Sequence, residues 1–410
     1  MNIFNIYQQI FFSFIYRDNE FPAVQKIKGF SIKGFIKSMI DKLKVVKYDK
    51  SLSENSDLKG KIWLYVESIN QYRALSEIIG LLDNAVLVSR SRELINTFSK
   101  ENEILYLNLI NSGNKMSFWQ YKRLFKNRFF VHISTIIKNY GVYEALVSTL
   151  DVYKPKAVVM SNDHNAFCRA LLFASKEKHI PSIYLQHAAV TNRFPPLSFD
   201  LNLLEGQDSL NKYKEAGPIE GQVELVGMLK FDKYYGKINQ NKSVKTIGIA
   251  LNGGDNFEDY FTLTDEINSK FNNISFIYRF HPAIDLSAIA IPEYVKISKV
   301  TEENPFEFLS RIDMLFAGNS SIHLEAAMMN VVSYVVEFQK IDLIDYYGFI
   351  KNGLIETVDV NKVIQLVAEI LNNRPEVRDR VKFYVDTVGG AWDGKSCELV
   401  TKKINDFLNG

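Results

Sequence analysis

Cysteine is almost missing from these 410 residues. Cys168 and Cys397 stand far apart with no C-x-x-C pair, which excludes a disulfide framework and a cysteine zinc site and points to a reducing, cytoplasmic compartment. An excess of one charge is missing too: 49 basic against 47 acidic residues leave +2, which does not mark a nucleic-acid binder. No two aspartates stand at D-x-D spacing, and neither a Walker A sequence nor the dinucleotide fingerprint occurs. Metal-held diphosphate and P-loop hydrolysis are therefore disfavoured, and no metal or cofactor is expected. The apolar N-terminus, "MNIFNIYQQIFFSFIYRDNE", lacks a basic n-region and a cleavage site and is shorter than the ~20 residues of a membrane span. It reads as a strand or packed helix, with contact to a membrane surface as the alternative.

What is present is alternation. From residue 62, short β-rich runs and helical patterns follow one another: "KIWLYVES", "NAVLVSRS", "ILYLNLI", "KAVVMSND", "PSIYLQHA", "SFDLNLLEG" and "GQVELVG" read as strands. "INQYRALSEIIGLL", "ELINTFSK", a region from about Ser117 to Leu150, and "HNAFCRALLFASKEKH" read as helices. The pattern restarts with strands "KTIGIALNGG", "SFIYRFHP", "VKISK", "DMLFAGNS" and "VSYVVEF" around helices "FEDYFTLTDEINSKF", "NPFEFLSRI" and "IHLEAAMMN". The fold class is α/β, with two Rossmann-like domains: residues 1–230, a linker at 231–244, and residues 245–410.

Ligands of open parallel sheets bind outside the carboxyl ends of the strands. Those ends collect the unusual polar residues. In the second half, Asn252 and Gly253 allow close backbone approach, while Arg279, His281 and Pro282 end a strand with a histidine held before a proline. Gly318, Asn319, Ser320 and Ser321 form a small-residue turn into a helix, suited either to capping or to an anion. Glu325, one turn on, either accepts from ribose hydroxyls or is solvated. In the first half, Asn162, Asp163, His164, Gln186 and His187 face the cleft as acceptor-binding groups or a general base; equally, Asp163 caps a helix and His187 is a satisfied interior histidine. Asp232, in "VGMLKFDKYYGK", reads by itself as a helix cap.

The "HP" at 281–282, the "SS" at 320–321, "LQHA" and "VGMLKFD", taken in order across both halves, resemble the retaining β-Kdo transferases of bacterial O-antigen and capsule assembly. These are metal-independent enzymes of the two-domain glycosyltransferase B type, with an interdomain cleft. The resemblance implies CMP-β-Kdo as donor, bound mainly by the C-terminal half through His281, Pro282, Ser320 and Ser321. It implies a polysaccharide or lipid-linked glycan acceptor on the N-terminal half, loose attachment to the inner membrane face, or further domains of a larger enzyme. It also implies a covalent Kdo adduct on Asp232, with Asp163, His164 or His187 as acceptor base and Lys230, Lys233 or Arg279 near the sugar carboxylate. Alternatives are an inverting sialyltransferase or other CMP-sugar transferase, a nucleotide-sugar epimerase of similar fold, and a non-catalytic sugar-binding module.

Overall fold

The computed structural model describes residues 56–110, 133–191, 194–252, 254–281, 284–286, 289–339 and 345–410. The N-terminal apolar stretch and part of the Ser117–Leu150 region lie outside them. In the first half, β1 (Ile62–Val66), β2 (Ala85–Ser89), β3 (Ile104–Tyr106), β4 (Ala157–Met160), β5 (Ser182–Leu185), β6 (Leu201–Leu204) and β7 (Gln222–Leu225) form one parallel sheet in the order 3-2-1-4-5-6-7. Its helices are α1 (Ile69–Leu75), α2 (Arg92–Phe98), α3 (Ile133–Tyr153), α4 (Ala166–Glu177) and α5 (Gln207–Ala216). The central strands are buried at every position because helices cover both faces, which is why they read as largely apolar runs.

The second half repeats this plan. Strands β8 (Thr246–Leu251), β9 (Ser275–Phe280), β10 (Val295–Ser298), β11 (Met314–Ala317), β12 (Val332–Glu337) and β13 (Glu356–Asp359) pair in the order 10-9-8-11-12-13, again all parallel. Helices α6 (Phe257–Lys270), α7 (Pro305–Leu309), α8 (Ile322–Met328) and α9 (Val363–Ile370) cover it. Both sheets reverse strand order beside their first strand, so each has its switch point where β1 meets β4 and where β8 meets β11.

The chain then returns. Helix α10 (Ser396–Asn409) buries Leu399, Val400 and Ile404 in the core of the first half, against Ile62, Leu64 and Leu201. A boundary drawn along the sequence at 245–410 therefore separates this helix from the half on which it packs. Two glycines let the return segment lie close: a Cβ on Gly206 would stand 2.4 Å from the Tyr384 backbone, and one on Gly227, whose φ is +75°, 2.1 Å from Thr387 Oγ1. Between the halves, Leu229–Lys237 forms a 3-10 segment that buries Leu229, Phe231 and Tyr234.

Candidate active site

A cleft of about 560 Å³ lies between the halves, bounded by α1, the ends of β5 and β6, the 3-10 connector and residues 300–307. Gln186 and Glu205 stand on its floor as a reciprocal pair. The Glu205 N–H donates to Gln186 Oε1 (2.9 Å), and Gln186 Nε2 donates to Ala188 O (2.9 Å) and Glu205 Oε2 (3.3 Å). Glu205 is 3% exposed, and burial lifts its carboxyl to about 7, with Lys230 opposing and Glu325 reinforcing the rise. Lys230 enters from the connector and pairs with Glu325 of α8, so one ammonium faces carboxylates from both halves. Burial drives the ammonium towards neutrality, but the two glutamates outweigh it and raise its pKa.

His187 lines the same cleft. Burial, and then Lys230, lower its pKa to about 4, and its Nδ1 is buried without a hydrogen-bond partner. Asp163 and His164 lie close enough to His187 to influence its titration, but neither they nor Asn162 line the cleft. Asp163 does not cap α4; Asn165 does, accepting from Cys168 N at 2.7 Å. Asp163 Oδ1 instead sits 2.8 Å from His164 Nδ1, and Oδ2 accepts from Tyr213 Oη (2.7 Å). His164 stacks on Phe194, and Asn162 Oδ1 accepts from the backbone N–H groups of His164 and Asn165.

On the second half, Ser321 and Glu325 reach the cleft, but the Ser321 hydroxyl makes no cap and Ser320 Oγ accepts from Ile322 N only at 3.4 Å. His323, a residue the sequence reading passed over, is 1% exposed and donates through Nε2 to Gly318 O (2.9 Å). Burial lowers the pKa of this ring to about 4. Asn252 donates its N–H to Asp255 Oδ2 and lies 3.5 Å from Asn319 O through its amide, tying the two loops together. Arg279 is spent on the 298–303 loop, donating to Ser298 Oγ (2.7 Å) and Glu303 O (3.1 Å). His281 is exposed at the end of β9, while Gly253 and Pro282 lie outside the described residues.

Asp232 has a different neighbourhood from the one expected. Its Oδ2 accepts from Cys397 N at 2.7 Å at the start of α10, and Ser396 lies close enough to favour the charged form. Leu229, Lys230, Lys233 and Tyr234 line the cleft around it, whereas Asp232 does not. A 3-10 turn carries these side chains in different directions, and the helix N-terminus attracts the carboxylate. Burial nonetheless raises its pKa, and Oδ1 stays buried without a partner. Lys233 is drawn off to Glu77, just beyond the C-terminus of α1 (2.8 Å). Glu205 is the group that sequence reasoning missed; its signal was a carboxylate directly after the strand "LNLL", at a carboxyl edge.

Neither family models nor curated proteins match the chain. Solved structures do, at low identity. The UDP-N-acetylglucosamine 2-epimerase of Neisseria meningitidis bound to UDP-GlcNAc matches 84% of this chain and 100% of its own, at 13% identity and TM-score 0.57. The calicheamicin glycosyltransferase CalG4 matches 85% and 97% (11% identity, TM-score 0.51), and the wall teichoic acid polymerase TagF 92% and 98% (11%, 0.52). Two parallel Rossmann-like sheets of seven and six strands with a cleft between them give this chain the glycosyltransferase-B fold.

Proposed function

We propose that the chain is a glycosyltransferase that moves a sugar from a nucleotide donor to a hydroxyl within the cleft. One observation carries the reading: Glu205 of the first half, Lys230 of the connector and Glu325 of the second half converge in one cavity. Glu205 is the acceptor base. A carboxyl titrating near neutrality both takes a hydroxyl proton and is present as carboxylate at pH 7 and above. The alkoxide oxygen bonds to the anomeric carbon, the bond from that carbon to the phosphate oxygen breaks, and its electron pair leaves with the nucleotide. Lys230 supplies positive charge beside these groups. CMP-linked Kdo is the donor to test first, on the sequence resemblance. A covalent route through Asp232 would require its carboxylate to leave the α10 N-terminus and turn into the cleft.

The test is nucleotide release from CMP-Kdo, CMP-sialic acid and UDP-GlcNAc with bacterial glycan acceptors, comparing the native chain with Glu205→Gln. Acceptor-dependent release that the variant loses supports the proposal. Isomerisation of UDP-GlcNAc without acceptor would replace it with an epimerase, and binding without consumption of any donor would replace it with a binding module.

A further inference from the structure

A second cavity, about 700 Å³, opens at the switch point of the first sheet, outside the carboxyl ends of β1, β2 and β4. Glu67, Gln71, Arg90, Asn139, Asn162 and Phe167 line it. Helix α1 separates it from the interdomain cleft: Gln71 faces this cavity, while Asn70, Tyr72 and Arg73 face the cleft.

The hydrogen-bonding capacity here is not used up. Arg90 lies over the Phe167 ring at 5.2 Å, yet its Nε is buried without a partner. Phe167 is held in turn by stacking on Tyr65 at 4.9 Å. Glu67 accepts from Asn165 Nδ2 (2.9 Å) through Oε2, and Gln71 accepts from Glu67 N (2.8 Å) through Oε1. Glu67 Oε1, the Gln71 amide nitrogen and the Asn139 amide have no hydrogen bond among the described residues. The cation of Arg90 and the carboxylate of Glu67 balance, so the site holds no excess charge to select an anion. Planar donors and acceptors beside one another, on a fixed floor, suit adjacent hydroxyls on one ring.

We propose that this cavity is a glycan-binding subsite that takes a neutral sugar unit with vicinal hydroxyls, held by Arg90, Glu67 and Asn139. It rests on the transferase reading only in its role: an acceptor chain crossing α1 has a distal unit in this cavity and its reacting end in the cleft.

The experiment is saturation-transfer NMR of the intact protein with methyl glycosides of glucose, galactose, mannose and N-acetylglucosamine, and with sodium glucuronate as the charged control. At least one neutral glycoside gives a signal, and Arg90→Ala and Asn139→Ala each weaken its binding about tenfold or more, the cost of a lost hydrogen bond to a charged or buried group. Glu302→Gln, at the rim of the cleft, leaves that signal unchanged. Should Arg90→Ala fail to fold by circular dichroism, Asn139→Ala and Arg90→Lys decide, the latter keeping charge and losing the fork. No signal from any neutral glycoside, a signal that survives these substitutions, or stronger binding of glucuronate overturns the subsite. Binding needs no donor and no turnover. Glycoside binding in a protein inactive on every donor would therefore sink the transferase reading alone, and full transferase activity without glycoside binding the subsite alone.

Discussion

Lys230 of the connector is paired with Glu325 on α8, and the same ammonium faces Glu205 beyond the end of β6. Three residues from three separate segments are thus joined by charge across the cleft. Removing Lys230 leaves two carboxylates, one 10% and one 3% exposed, facing each other without a cation. Lys230→Met is expected to destabilise the protein, and Glu325→Gln to recover part of the loss. A double-mutant cycle read by urea denaturation should give a coupling of about 1 kcal/mol, partial exposure of the lysine keeping it small. Additive effects would show that the pair contributes nothing.

Glu205→Gln keeps the shape and the hydrogen bond with Gln186 and removes the base. Turnover should fall by roughly 10²–10⁴, with the donor KM changed little. In the native chain the rate should rise with pH through about 7, as the carboxyl loses its proton. A profile flat from pH 6 to 8 (~2 units around that midpoint) would remove Glu205 from the chemistry.

The same group links to stability with a definite sign. A glutamate ordinarily titrating at 4.5 and raised to about 7 in the folded state holds its proton more tightly when folded. Its contribution is complete below 4.5 and is lost as pH rises through 7. His187 and His323, lowered from 6.5 to about 4, act oppositely in acid, their contribution being complete above 6.5 and lost as pH falls through 4. Melting curves of Glu205→Gln should lack the decline between 4.5 and 7 and keep the acid decline; an unchanged curve would contradict the raised carboxyl.

Asp232→Asn keeps an acceptor at the α10 N-terminus and loses the charge there. A stability loss of about 1 kcal/mol or less is expected, with transfer per folded molecule retained. Complete loss of transfer in a folded variant, together with a Kdo adduct on the native chain by intact mass, would instead restore Asp232 as nucleophile.

Gly318→Ala places a methyl group 2.4 Å from Asp255 Oδ1, the carboxylate that also holds Asn252 N. The Asp255 carboxylate must then move and loosen its hold on Asn252 N. Nucleotide binding, followed by calorimetry with CMP and UDP, should weaken more than the melting temperature falls; equal binding would place the nucleotide elsewhere.

The order of strands and helices was legible because buried parallel strands are mostly apolar, as "AVVM", "SIYL" and "LNLL" are, and because crossover helices must separate them. The strand ends that carry His187, Ser321 and Glu325 were legible for the same reason. The helix "QDSLNKYKEA" was not, since its apolar face is narrow, and neither was the return of α10, whose amphipathic pattern fits either half.

Sequence alone determined the class of fold, the two repeats and the edges where polar residues gather, because periodicity and burial are local properties. Which side chains meet was decided by tertiary structure. Asp232 and Lys230 are two residues apart, and the 3-10 turn sends one to the α10 N-terminus and the other to Glu325. Glu205 drew no notice as a letter in the chain; it became a base candidate when Gln186 fixed it and burial beside Glu325 raised its proton affinity. Charge acts through space, and no spacing along the chain specifies that distance.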